Sequence, residues 1–106
     1  MDKLKRVEDR IESLISESEE AFDYCLQLGE SCDQSRYSSA EEKFNIISVL
    51  SQMFESYPDW FRLGDIQYKD FDRAFLSFYE APLGCSLDYP QYVSNMAYNW
   101  FVLISN

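Results

Sequence analysis

Leu4, Val7, Ile11, Leu14, Ala21, Cys25 and Leu28 recur at alternating three- and four-residue steps, with Ser18 in the one polar slot. Ile15, Phe22 and Leu26 widen the stripe. Only an α-helix gathers positions of that spacing onto one face, so residues 4 to 28 predict one amphipathic helix of about seven turns. Gly29 follows directly, as a left-handed stop residue would. A helix this long with one apolar face must bury it against other elements, which confines the chain to packed architectures. With 106 residues the chain buries roughly two-thirds of its unfolded surface, enough to fold without a metal or a disulfide.

The remaining elements are marked by three glycines and three prolines. Residues 30 to 38 read as a polar loop. Ser39, Ala40, Glu41 and Glu42 then predict a helix start, with Ser39 capping free amides and Glu42 reaching back to the Ser39 amide as in a capping box. Phe44, Ile47, Leu50, Met53, Phe54 and Tyr57 form the buried face of that helix, and Pro58 ends it. One further turn fits residues 58 to 63, with Pro58 at its first position and Gly64 closing it. A third helix is predicted from 66 or 71 to 81, capped by Asp65 or Asp70 and terminated by Pro82 and Gly84. Pro90 opens a last helix carrying Val93, Met96, Ala97, Trp100, Phe101 and Ile104. A strand over residues 100 to 104 competes with it, because a short apolar run does not decide the period. The expected fold is all-α, a compact four- to five-helix bundle forming a single helical domain over residues 1–106. Aromatics make up 17% of the chain, which suits irregular crossing angles better than a symmetric coiled coil.

Absences narrow the function. The chain has no histidine, and with it go the commonest general base, the usual zinc ligand and the Ser-His and Cys-His nucleophile pairs. Cys25, Cys32 and Cys85 are odd in number and match no metal or redox spacing, which fits a reducing compartment; a Cys25–Cys32 pairing is left open. Asp70 and Asp72 flank Phe71 like a divalent-metal pair, but alternate positions on a helix point about 200° apart. They read instead as carboxylates at a helix start. Phe71, Phe75, Phe78 and Tyr79 form an aromatic stripe better explained as core than as a ligand pocket. No glycine-rich phosphate loop and no basic stripe is present, and a net charge of −10 repels nucleic acid and anionic membranes. No catalytic residue, cofactor or metal is expected. The first residues lack the apolar run of a signal peptide, and the longest apolar stretch, residues 100 to 104, is too short to span a bilayer. A soluble cytoplasmic protein is the expectation.

Charge is distributed unevenly. Residues 1 to 10 hold four basic and three acidic groups, whereas residues 11 to 35 hold Glu12, Glu17, Glu19, Glu20, Asp23, Glu30 and Asp33 with no base. At 100° per residue, Glu12, Glu19, Glu20 and Asp23 fall opposite the apolar stripe of the first helix. Solvated positions of an amphipathic helix are commonly charged, and that alone would explain them. Against it stands the lack of i, i+4 Lys or Arg partners and the like-charged pair Glu19 and Asp23, which forgo stabilisation that a cationic partner would restore. Tyr37, Trp60 and Phe61, in or near predicted loops, are candidate aromatic anchors for such a partner, or else caps over the core.

In size, acidity, cytoplasmic character and lack of catalytic groups, the chain resembles bacterial immunity proteins that neutralise nuclease toxins, including those of contact-dependent growth-inhibition systems. The resemblance implies a non-catalytic inhibitor that covers a basic toxin's active site or substrate cleft. These families differ in fold, so no functional residue carries over from them. Small phage inhibitors, including anti-CRISPR proteins and nucleic-acid mimics, share the same gross properties. Two other classes compete: a structural or regulatory module that oligomerises, or binds a subunit, through the apolar last helix, and an enzyme built on two carboxylates.

Overall fold

The long apolar stripe forms one helix. A computed structural model of the chain describes residues 2–29 and 34–106, the side chains of residues 34–37 excepted. Helix α1 spans Lys3–Leu28; the Asp2 carboxylate caps it by accepting the Leu4 amide at 3.1 Å, and Gly29 leaves it through a φ of 56°. Four further helices follow: α2 at Gln34–Ser56, α3 at Pro58–Leu63, α4 at Tyr68–Phe78 and α5 at Tyr89–Ser105. The fold is an all-α bundle, with no strand among the described residues. Residues 100 to 104 are therefore helical, and the competing strand is excluded.

Three predicted boundaries moved. Helix α2 begins at Gln34, so Ser39 is a helix-interior residue and the capping box does not form. No Gly or Pro interrupts residues 34 to 38, and nothing local stops the helix from extending back through them. Glu42 turns instead towards Tyr79 and Tyr89, where its Oε1 is buried without a hydrogen-bond partner among the described residues. Burial, with Tyr89, Cys85 and Glu42 around it, pushes the Tyr79 phenol up to about 12. Helix α4 starts at Tyr68 behind Gln67, so neither Asp65 nor Asp70 is its cap; Asp70 lies in the first turn, where its charge still favours the helix dipole. It stops at Phe78, ahead of the predicted end, with Tyr79 extended at φ −87° and ψ 132°. Pro82 has no amide to continue the ladder and disfavours helical geometry at Ala81, so the chain leaves early.

The core lies where α2, α4 and α5 meet. Ile46, Ile47, Leu50 and Met53 of α2 face Phe71 and Phe75 of α4 and Val93, Ala97 and Phe101 of α5, all essentially without solvent contact. Ring packing is irregular: Phe101 lies 4.9 Å from Phe61 edge-on and 5.2 Å from Phe71 at a tilt. Val7 and Ile11 close this core from α1, while farther along α1 the buried positions are Ser18 and Cys25, a small polar side chain and a free thiol.

Polar contacts fix the helices in register. Asp72 accepts from Ser94 Oγ at 2.6 Å and from Gln91 Nε2 at 3.1 Å, joining α4 to α5. Tyr98 donates to the Ile66 carbonyl at 2.8 Å. Arg10 donates to the Ile104 carbonyl at 2.7 Å, placing a cation at the C-terminal end of α5, which has no base of its own in its last turn. Gly64 ends α3 at φ 65°, and a Cβ there would stand 3.2 Å from Ser105 Cβ, so this stop residue is also a close approach. The thinnest dimension of the molecule is 18 Å, under two full helix diameters.

Candidate functional site

Along one side of α1, the first two helices leave an open seam. At its inner end, near the aromatic core, Glu8, Ile11, Glu12 and Ile15 of α1 face Ser51, Phe54 and Glu55 of α2 around a depression of about 320 Å³. At its outer end Glu19, Phe22 and Asp23 face Glu41, Phe44 and Asn45 around one of about 460 Å³. The two follow each other because the α1 positions recur at i, i+3, i+4 and i+7 while α2 runs antiparallel with the same period. Ile15, Phe22, Phe44 and Phe54 are half-buried and make an apolar floor. Glu8, Glu12, Glu19 and Asp23 on one bank and Glu41 and Glu55 on the other are exposed. Among the described residues no lysine or arginine lines either depression.

The seam acids make no short ion pair among the described residues, although Lys5 lies near enough to feel the charge of Glu8 and Glu12. Lys5 pairs with Asp9 at 3.5 Å, and Asp9 and Glu8 hold its ammonium above the usual lysine range. Lys3 donates to the Arg62 carbonyl at 2.6 Å, and Arg10 to that of Ile104. Glu12, Glu17, Glu19, Glu20 and Asp23 form no ion pair among the described residues. No group of three or more Cys, Asp or Glu among the described residues is close enough to hold a metal ion. The seam is chemically a place for cations carried on a larger apolar body.

The predicted contact residues are not all brought together. Glu12, Glu19 and Asp23 lie on the seam; Glu20 points outward, and Glu17 borders the opposite flank of α1, near Trp100 and Lys43. Phe61 is fully buried against Phe54 and Phe101, so it is a core residue and not a partner anchor. Trp60 is half-buried and stacks on Tyr57 at 4.4 Å, in the group that closes the end of α2. Glu30 and Asp33 lie outside the described residues, as does the Cys32 half of the Cys25 question; Tyr37 lies on α2, its side chain also outside them. Asp70 and Asp72 do diverge: Asp70 is exposed, and Asp72 is turned onto α5.

Glu8, Glu41 and Glu55 were missed by sequence reasoning. A signal existed, since Glu41, Phe44, Ser48, Ser51 and Glu55 share one face of α2 at helical spacing. It was masked because Phe44 and Phe54 were assigned to the buried face of α2, whereas both are only half-buried at the edge of the seam.

A second open groove, of about 480 Å³, lies on the other flank between α1 and α5. Leu14, Trp100, Leu103 and Ile104 line it with Asp9, Arg10 and Ser13, and Leu103 is 73% exposed. Among the described residues no helix is long and apolar enough to cross a membrane. No protein-family model, curated protein or solved structure matches the chain.

Proposed function

We propose that the chain is a non-catalytic cytoplasmic inhibitor that binds a basic protein through the α1/α2 seam. An immunity protein presents such a surface to a nuclease toxin, covering the active site or the cleft that holds the nucleic-acid backbone. The observation that carries this reading is the seam itself: six exposed carboxylates on two banks, half-buried Ile15, Phe22, Phe44 and Phe54 between them, and no base along either depression among the described residues. Carboxylates so placed occupy phosphate positions in a cationic cleft, steer association, and leave the half-buried rings to slow dissociation. Because the acids are exposed, the steering weakens once salt shortens the screening length to about 8 Å or less.

The test is to assay the product of the neighbouring gene for nuclease toxicity and to measure its association rate with the chain at low and at raised salt. The triple reversal Glu12→Lys/Glu19→Lys/Asp23→Lys is expected to slow association about tenfold or more at low salt and to weaken protection of the host. An unchanged rate refutes the assigned surface, and a neighbouring product that is neither toxic nor bound refutes the inhibitor reading.

The α1/α5 groove favours a second reading, in which the exposed Leu103 and half-buried Trp100 pair with another copy or a subunit. Sedimentation at micromolar concentration separates the two: a clean monomer counts against self-association through α5.

A further inference from the structure

The two halves of the seam carry information about the shape of what fills them. From Glu8 to Asp23 the α1 bank runs fifteen residues, roughly 22 Å of helix. The floor carries an apolar pair at each end, Ile15 with Phe54 and Phe22 with Phe44, with Ser48 and Ser51 on the α2 face between them. Acids stand on both sides of that floor, Glu12 and Glu19 on one bank and Glu55 and Glu41 on the other. An occupant must therefore present an apolar stripe downward and cations on both flanks at once. A β-strand cannot do so, because its side chains alternate between two opposite faces, one into the floor and the other into solvent. An α-helix does, with an apolar stripe at i, i+3, i+4 and i+7 and flanking positions about 100° to either side. Two antiparallel helices also offer the groove into which a third packs at about 8–10 Å.

We infer that the partner's contacting element is a cationic amphipathic α-helix of about four turns, lying lengthwise in the α1/α2 seam. The inference rests on the seam being a binding surface and adds the form of the ligand. A second copy of the chain does not meet the requirement. Each copy carries a net charge of −10, and an isologous contact would set the same acid banks against each other.

The test uses the intact chain and a synthetic Leu/Lys peptide of about 16 residues, patterned at helical spacing. The peptide is expected to bind one to one, to gain helicity on binding, and to shift amide resonances of residues 8–23 and 41–55. The on-seam pair Glu12→Lys/Glu19→Lys is expected to weaken binding at least about tenfold. The off-seam pair Glu17→Lys/Glu20→Lys makes the same change of charge and is expected to weaken it less than about threefold, because exposed charges off the contact are screened. All four positions are exposed, so these variants keep the fold.

Equal weakening by the two pairs would overturn the proposal by showing attraction to net charge alone. So would equal binding of a peptide with serine in place of leucine, or of a diastereomer with alternating D-lysines that cannot form a helix. A dimer of the chain with its seam resonances already shielded would assign the seam to a second copy. If the helical peptide fails while the on-seam pair still abolishes toxin neutralisation, the partner is basic but not helical, and the inhibitor reading survives. If the peptide binds as expected and no toxin is neutralised, the helix-binding seam stands and the inhibitor reading falls.

Discussion

The aromatic body formed by α3, α4 and α5 against the inner part of α2 and the far half of the α1/α2 hairpin solve opposite problems. In the body, Phe61, Phe71, Phe75 and Phe101 are fully buried and interlocked, and Asp72 with Ser94 and Tyr98 with the Ile66 carbonyl make hydrogen bonds between the elements. In the far half of the hairpin the buried α1 positions are Ser18 and Cys25, the aromatics Phe22 and Phe44 are only half-buried, and carboxylates without an ion pair among the described residues bank the seam. Large apolar area removed from water supplies most folding free energy, so the body carries the stability. The hairpin holds like charges side by side, which an element selected for stability alone avoids.

The sharpest challenge to that division is Phe101→Ala. Phe101 touches Phe61, Phe71 and Tyr98, so its loss is expected to destabilise the chain by about 3–5 kcal/mol in urea unfolding. A cost no larger than that of a surface change would mean that the body is not the stabilising unit. Next in size is Asp72→Ala, which leaves the fully buried Ser94 hydroxyl without its carboxylate acceptor and is expected to cost about 1–3 kcal/mol. Asp70→Ala, two residues away but exposed, should stay within about 0.5 kcal/mol. Equal costs for the two would break the assignment of Asp72 to the α4–α5 register. The smallest effect has the opposite sign. Glu19→Lys turns the like-charged i, i+4 pair with Asp23 into an attractive one and is expected to gain about 0.2–0.5 kcal/mol, read as a higher urea midpoint. The same variant should bind a cationic partner more weakly, so stability and binding move in opposite directions at one residue. A loss of stability there would show that the acids serve the fold after all.

Much of this was legible beforehand. Helices α1, α3 and α5 followed from period and punctuation: Gly29 and Gly64 sit at positive φ, and Pro58 and Pro90 sit in first turns. Ser39 misled because a capping box is only four residues of pattern, and an uninterrupted polar stretch ahead of it lets the helix run on to Gln34. Phe61 stayed open between partner anchor and core cap because a single helical turn does not by itself set which way its side chains face, and in space its ring packs edge-on against Phe101.

By itself the amino-acid sequence determined that this chain is helical, roughly where its helices end, and that α1 carries an acidic surface. Those are local matters of periodicity, allowed dihedral angles and which groups are ionised. Only the tertiary structure decided what each flank of α1 faces, that Glu12, Glu19 and Asp23 share a seam with Glu41 and Glu55 while Glu17 and Glu20 do not, and that half-buried rings lie between its banks. The physical reason is that these depend on how one helix is rotated and shifted against another. That rotation is set by the fit of side chains from α2, α4 and α5 in a common core, and no single helix encodes it.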